Sequence, residues 1–283
     1  MAAPDDTHNM ALFCDFENVA LGVRDAKYDK FDIGKVLERL LVKGSIVVKK
    51  AYCDWERYKE FKAAMHEAAF ELIEIPHVRQ SGKNSADIRM VVDALDLCYT
   101  KSHVDTFVII SGDSDFSPLV SKLRENNKAV IGVGVKKSAS DLLISNCDEF
   151  IYYDDLVREE KAKAKHTRKK APSKVAAAAK APAVEPEDKP EQEDKTAQAF
   201  DLLTSTLDAL VAERGEDEKI WGSMIKQTLK RRHPGFNESY YGFKSFNDLL
   251  EEAAIRGLLH LTRDEKSGGY IVRGSAHEAG LEA

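Results

Sequence analysis

No stretch of the 283-residue chain stays apolar for the roughly 18 residues that a membrane-spanning helix requires, so no transmembrane segment is expected. The opening residues, MAAPDDTHNM, lack a basic region followed by an apolar core, so no secretory leader is expected either. Cysteine is scarce. Cys14, Cys53, Cys98 and Cys147 lie far apart in apolar surroundings, which excludes a CxxC zinc site and a disulfide frame. They read as reduced, buried thiols of a cytoplasmic protein. The eight histidines form no HExxH or other paired ligand set. Positive charge is in deficit: the net charge is -6, so any nucleic-acid partner must be held by a local basic patch. Aromatic residues are absent between Tyr153 and Phe200, where four of the eight prolines fall.

That aromatic-free stretch divides the chain. Lys161 to Lys180 is basic and has no acid, and Glu185 to Asp194 is acidic. Such a segment buries too little apolar area to offset its ordering entropy, so residues 158–197 are expected to be a flexible linker. Its AKAKHTRKKAPSK run could still touch RNA phosphates.

Before the linker, in residues 8–157, strand and helix patterns alternate. ALFCDF, SIVVKKAYC, FELIEI, DTFVIIS, AVIGVGV and EFIYY read as strands. FDIGKVLERLL, WERYKEFKAAMHEAAF, SADIRMVVDALDLCY, DFSPLVSKLREN and SDLLISNC read as helices. This alternation predicts βαβ units and a doubly wound α/β domain with a parallel sheet covered on both faces. After the linker, in residues 198–273, AFDLLTSTLDALVAERG, KIWGSMIKQTLKRRHPG and FKSFNDLLEEAAIRG read as three helices. LLHLTRDEKSGGYIVR follows as a hairpin turning at Ser267-Gly268-Gly269, so a small winged-helix α+β domain is expected.

Open α/β sheets bind ligands beyond the carboxyl ends of their strands, where the strand order reverses. The first strand ends in DFEN, with Asp15 and Asn18, and the fourth in SGDSDF, with Asp113 and Asp115. Asp87 opens the helix that follows the loop HVRQSGKN. Each acid has a local explanation: Asp115 as a helix N-cap, Asp87 as a dipole partner or cap, Asp113 as a turn residue. Together they are expensive. Two carboxylates ~4 Å apart repel by roughly 4 kcal/mol at an effective dielectric of 20. An all-oxygen set without His or Cys suits a hard cation, Mg²⁺ or Mn²⁺, which can bridge phosphate oxygens and activate a water for in-line attack.

DFENVA, SADIRMVVDAL and VIISGDSDFSPLV together resemble the NYN family of the PIN-like nuclease superfamily, in particular its bacterial branch with SGDSDF. The likeness covers about residues 9 to 157. It implies a PIN-like Rossmannoid fold in which Asp15, Asp87, Asp113 and Asp115 form the acidic metal site. Asn18 would orient substrate or a metal-bound water. Asp93 matches a recurrent family acid, but it lies about 120° around the helix from Asp87 and is expected at the edge of the site or behind it. Ser111 would support the turn and Lys83 would reach a phosphate. Asp113-x-Asp115 is also similar to the TOPRIM pattern, whose first-strand acid is a Glu; here that position is Asp15, with Glu17 behind it. Trp55 could stack on a base or pack as the first apolar residue of its helix. Gly132 and Gly134 lack the spacing of a dinucleotide loop and read as strand packing.

FNESYYGFKSFNDLLEEAAIRGLLHL resembles the OST-HTH, or LOTUS, domain. That likeness implies RNA binding, including structured G-rich RNA, or docking of a protein partner. Lys226, Lys230, Arg231, Arg232 and His233 give a basic stripe that Lys244, Arg256 and Arg263 could extend. Phe243 and Phe246 fit a core face, while Tyr240 or Tyr241 could stack on a base. The expectation is a Mg²⁺- or Mn²⁺-dependent ribonuclease with an RNA-binding tail. The competing expectation is a non-catalytic RNA-binding adaptor.

Overall fold

The computed structural model describes residues 8–75, 85–168, 189–215, 218–264 and 268–274. The chain separates into two compact units that divide at 166/167.

In the first unit, strands and helices alternate as β1 (His8–Asp15), α1 (Phe16–Asp25), α2 (Ile33–Leu41), β2 (Gly44–Cys53), α3 (Lys59–Glu67) and β3 (Glu71–Glu74). They continue as α4 (Ser85–Thr100), β4 (Thr106–Ile110), a 3-10 turn (Ser114–Phe116), α5 (Ser117–Glu125), β5 (Ala129–Gly134), α6 (Asp141–Asn146), β6 (Glu149–Tyr152) and α7 (Tyr153–Arg168). The six strands form one sheet in the order β3-β2-β1-β4-β5-β6, and every pair is parallel. Successive strand side chains face opposite ways, and two cores result. Met10, Leu12, Val108 and Ile110 pack under α1, α2 and α3, with Val19, Val36, Leu40 and Met65. Phe13, Phe107 and Ile109 pack under α4, α5 and α6, with Met90, Val120 and Leu143. This is the doubly wound parallel sheet that the alternating pattern predicts. The order reverses between β1 and β4, which places the switch beside Asp15 and Ser111.

Gly132 lies where a Cβ would come within 2.3 Å of the Phe150 ring, so strand packing accounts for it. All four cysteines are buried and free.

The second unit contains α8 (Lys189–Arg214), β7 (Ile220–Trp221), α9 (Gly222–Arg232), α10 (Phe246–Ile255), β8 (Leu259–Arg263) and β9 (Tyr270–Gly274). A small antiparallel sheet, β7-β9-β8, closes on the helices. Phe200, Leu203, Leu207, Ile225, Leu229, Leu249 and Val272 share its core, together with the expected Phe243 and Phe246. Ser245 caps α10 by accepting the Asp248 N–H at 3.2 Å.

Four local expectations change. FENVALGVRD, unassigned in the sequence, forms α1, a helix started by Asp15 itself. The helix expected from Trp55 begins at Lys59. Trp55 precedes it in a turn, 1% exposed, with Nε1 donating to the Ile73 carbonyl and its ring 5.0 Å from Phe16. It is a packing residue with no face left for a base. Ile220–Trp221 is a strand rather than a helix start, because its backbone pairs with Ile271 and Val272. Helical backbone also enters the expected linker from both sides, to Arg168 and from Lys189. Residues 169–188, with about half of the charges of the basic and acidic runs, lie outside the described residues, as do Lys83 and Ser267.

Candidate active site

β1 runs buried from Met10 to Cys14 and delivers Asp15 at its carboxyl end, 7% exposed. Asp15 Oδ1 accepts the Asn18 N–H at 3.4 Å, and Oδ2 accepts the Ser111 hydroxyl at 3.0 Å. Ser111 follows β4 and is wholly buried, so this bond crosses the switch between the two strands. The same Ser111 oxygen accepts the Asp113 N–H at 3.2 Å. Gly112 is required between them, because a Cβ there would meet the Ser138 carbonyl oxygen at 2.8 Å. Its N–H donates to Asn18 Oδ1 at 2.9 Å. Asp113 Oδ1 accepts the Asp115 N–H at 3.0 Å and caps the 3-10 turn. The cap is therefore Asp113, not Asp115, because the chain tightens into a 3-10 turn before α5 begins.

Electrostatics connect these acids more widely than hydrogen bonds do. Burial pushes the Asp15 carboxyl up to about 7, and the charge of Asp87 adds to it. The bonds from Ser111 and Asn18 act in the opposite direction, and Asp113 adds a smaller upward push. Burial also lifts Asp87, to about 6, with Asp113, Asp115 and Glu17 contributing. Asp15, Asp87, Asp113 and Asp115 thus share one field. Glu17 was missed as a member of this set. It sits in the first turn of α1 and is paired with Arg57 at 3.2 Å. Its signal was present in D-F-E-N, but a first-turn Glu reads as an ordinary dipole partner.

Asp93 is set apart. Its carboxylate takes the Tyr52 hydroxyl at 2.9 Å, Lys50 Nζ at 3.4 Å and Arg89 Nε at 3.1 Å. It braces α4 against β2 and does not feed the acidic edge.

Among the described residues, no group of three or more His, Cys, Asp or Glu side chains forms a metal cage by itself. The donor chemistry still fits a hard cation: oxygen only, carboxylate-rich, with Asp15 and Asp87 held above their ordinary range by burial and by neighbouring carboxylates.

In the second unit the basic stripe is partly engaged. Lys226 pairs with Glu238 at 2.9 Å, and Arg256 pairs with Glu252 at 3.0 Å and lies over the Phe200 ring. Arg232 donates to the Ser205 carbonyl on α8 at 3.0 Å. Arg231 and Lys244 are exposed. Tyr241 stacks on Phe236, and Tyr240 meets Tyr241 edge-on with Lys195 over its ring. Both tyrosines are half-buried.

The NYN domain family matches residues 9–154. The chain belongs to that family. The OST-HTH/LOTUS domain matches residues 196–271, so an NYN domain precedes an OST-HTH/LOTUS domain. The NYN domain belongs to a nuclease superfamily, and TOPRIM is set aside. An uncharacterized protein of Methanocaldococcus jannaschii is 28% identical over 144 residues, 51% of this chain and 55% of its own length. The chain thus spans about half the length of the curated relative it matches. The crystal structure of a protein of unknown function from Vibrio parahaemolyticus is 27% identical, with a TM-score of 0.48, covering 54% of this chain and 98% of that one. No helix among the described residues is long and apolar enough to cross a membrane.

Proposed function

We propose that the protein is a metal-dependent ribonuclease whose NYN domain hydrolyses RNA phosphodiesters while its OST-HTH/LOTUS domain holds the RNA. The observation that carries this reading is the bond from Ser111 to Asp15. It ties a buried carboxylate on β1 to the turn bearing Asp113, within the field of Asp87. Mg²⁺ or Mn²⁺ would be held by Asp15, Asp87, Asp113 and Asp115. Mg²⁺ commonly binds through one or two carboxylates and keeps several waters, which suits acids that do not close into a cage. When bound, the ion supplies charge neutralisation at the scissile phosphate and acidifies water.

The chain's own residues do the positioning. Ser111 donates to Asp15 and accepts from Asp113 N–H, so one hydroxyl fixes both the carboxylate and the turn. Asn18 spends its Oδ1 on Gly112 N–H, leaving its amide NH₂ to donate to a phosphate oxygen. Asp113 spends one oxygen on its cap and keeps the other for the cation. The nuclease unit would span 8–157 and the RNA-binding unit 198–273. A tether through 158–197 would raise the local concentration of RNA at the acids. The protein would act in the cytoplasm.

The test is cleavage of single-stranded and structured RNA, and of DNA, in Mg²⁺, Mn²⁺ and EDTA. Wild type should cleave RNA only with metal, and Asp113→Asn should not cleave. Full activity in purified Asp113→Asn protein would sink the assignment. That no three of these acids form a metal cage among the described residues favours one second reading, a non-catalytic RNA-binding adaptor. RNA binding without cleavage under any metal would select it.

A further inference from the structure

An open groove of about 720 Å³ lies between α4, the turn leading into α5, and α6. Asp87 and Asp115 stand on its lining, so it is continuous with the acidic edge. Away from them its walls include Ile88, Val92 and Leu142, which are 62%, 56% and 56% exposed. Ile88 and Val92 are four apart and share a face of α4. The core takes Met90, Ala94 and Cys98 from other positions of that helix. Branched aliphatic side chains left open beside carboxylates mark a place that something apolar covers.

Among the described residues, the lining carries acids, hydroxyls and aliphatic side chains but no lysine or arginine. Ser117, the first residue of α5, lines the groove and is 5% exposed, and its buried Oγ has no hydrogen-bond partner among the described residues. A buried hydroxyl left unpaired is destabilising until a ligand satisfies it.

We propose that this groove seats one nucleobase of the RNA strand, from the nucleotide adjoining the phosphate at the acidic edge. Ile88, Val92 and Leu142 contact the faces of the base, and Ser117 Oγ bonds its edge. A nucleobase is flat and uncharged, with apolar faces and a polar rim, which matches apolar walls carrying one convergent polar group. The linkage from base through sugar to phosphate spans the short step from the groove to the acids. This subsite rests on the ribonuclease reading of that edge.

The experiment has two arms on the full-length chain. In the first, adenosine and uridine, which carry no phosphate, are titrated in EDTA while the Ile, Val and Leu methyl resonances are followed by NMR. Saturable shifts at Ile88, Val92 and Leu142 are expected, weakened about tenfold by Ser117→Ala, the change that one lost hydrogen bond brings. Shifts confined to the OST-HTH/LOTUS domain, or no shifts, overturn the subsite. Groove signals that broaden with protein concentration and ignore nucleoside also overturn it, in favour of a protein contact. In the second arm, RNA substrates with a single abasic position stepped across the cleavage site are compared by KM and kcat. One position beside the cut should raise KM about tenfold with kcat unchanged, and Val92→Asp should erase that difference. A flat KM profile overturns the subsite. Because the first arm needs neither metal nor cleavage, nucleoside binding in a chain that never cleaves RNA would refute the ribonuclease reading and leave the base site standing.

Discussion

Asp87 and Asp93 lie on the same helix, six positions apart, and their surroundings treat them in opposite ways. Asp93 is met by a lysine, an arginine and a buried tyrosine hydroxyl. Asp87 has no hydrogen-bond or ion-pair partner among the described residues, and Asp113, Asp115 and Glu17 push it further up. Partnering a carboxylate was therefore within reach of this fold, and among the described residues Asp87 is left without it. A structural acid lowers the energy of the fold through its partners. An acid that raises that energy is tolerated where a ligand of opposite charge repays it.

Substitutions should break this comparison cleanly, and the largest effect is expected on catalysis. Asp15→Asn and Asp87→Asn should each lower metal-dependent cleavage at least about 100-fold, while Asp93→Asn should leave the rate per folded molecule close to wild type. Equal losses at Asp87 and Asp93 in a cleavage time course would erase the distinction.

Stability should move the other way. The Asp15 carboxyl sits at about 7 in the folded protein, against roughly 3.9 when unfolded. The folded state therefore holds a proton that the unfolded state releases. The stability tied to that proton is full below about pH 4 and is lost as pH rises through about 7. In EDTA at pH 8, Asp15→Asn should raise the unfolding free energy by about 2–4 kcal/mol, and the gain should vanish towards pH 4. Urea titrations at both pH values measure it, and a gain that persists unchanged at pH 4 would remove the explanation.

Asp93→Ala should cost about 1–3 kcal/mol in the same titrations, since it strands the buried Tyr52 hydroxyl. A neutral result would mean that Asp93 does not brace α4.

The smallest expected effects are in the second unit. Arg231, exposed and without an ion-pair partner among the described residues, should lower RNA affinity by about threefold when changed to alanine and reduce the salt slope by about 1. Lys226→Ala should do less, because Glu238 already neutralises Lys226. Filter binding across a salt series separates them, and identical slopes would show that the internal pair opens when RNA arrives.

Much of this arrangement was legible in the residues. The six strands were recognisable because a parallel sheet buried on both faces writes itself as short continuous apolar runs. Asp15, Asp113 and Asp115 were legible because each follows such a run within a few residues. Asp87 was legible from its place at a helix start. Helix α1 was not read: Gly22 weakens its pattern, and Asp15 leaves no loop before it. The weight of Ser111 was underestimated, since its partner lies 96 residues away in the chain. The separation of Asp93 from the acids was visible only as an angle around α4, and its partners Tyr52 and Lys50 come from another strand. The groove beside Asp87 could not be read at all. It depends on which helix faces the topology leaves uncovered, and Ile88 and Val92 look like core until α4 is seen to face the sheet with Met90 and Ala94.

β1 lies at the centre of the sheet, yet it is the first strand of the domain to be synthesised. Its partner β2 follows it within a few tens of residues, but its other partner, Thr106–Ile110, comes much later in the chain. Ser111 and Asp113 come on that same late segment. A nascent chain therefore carries Asp15 long before it can lock that side chain, and the acidic edge is completed only once the sheet has closed around β1.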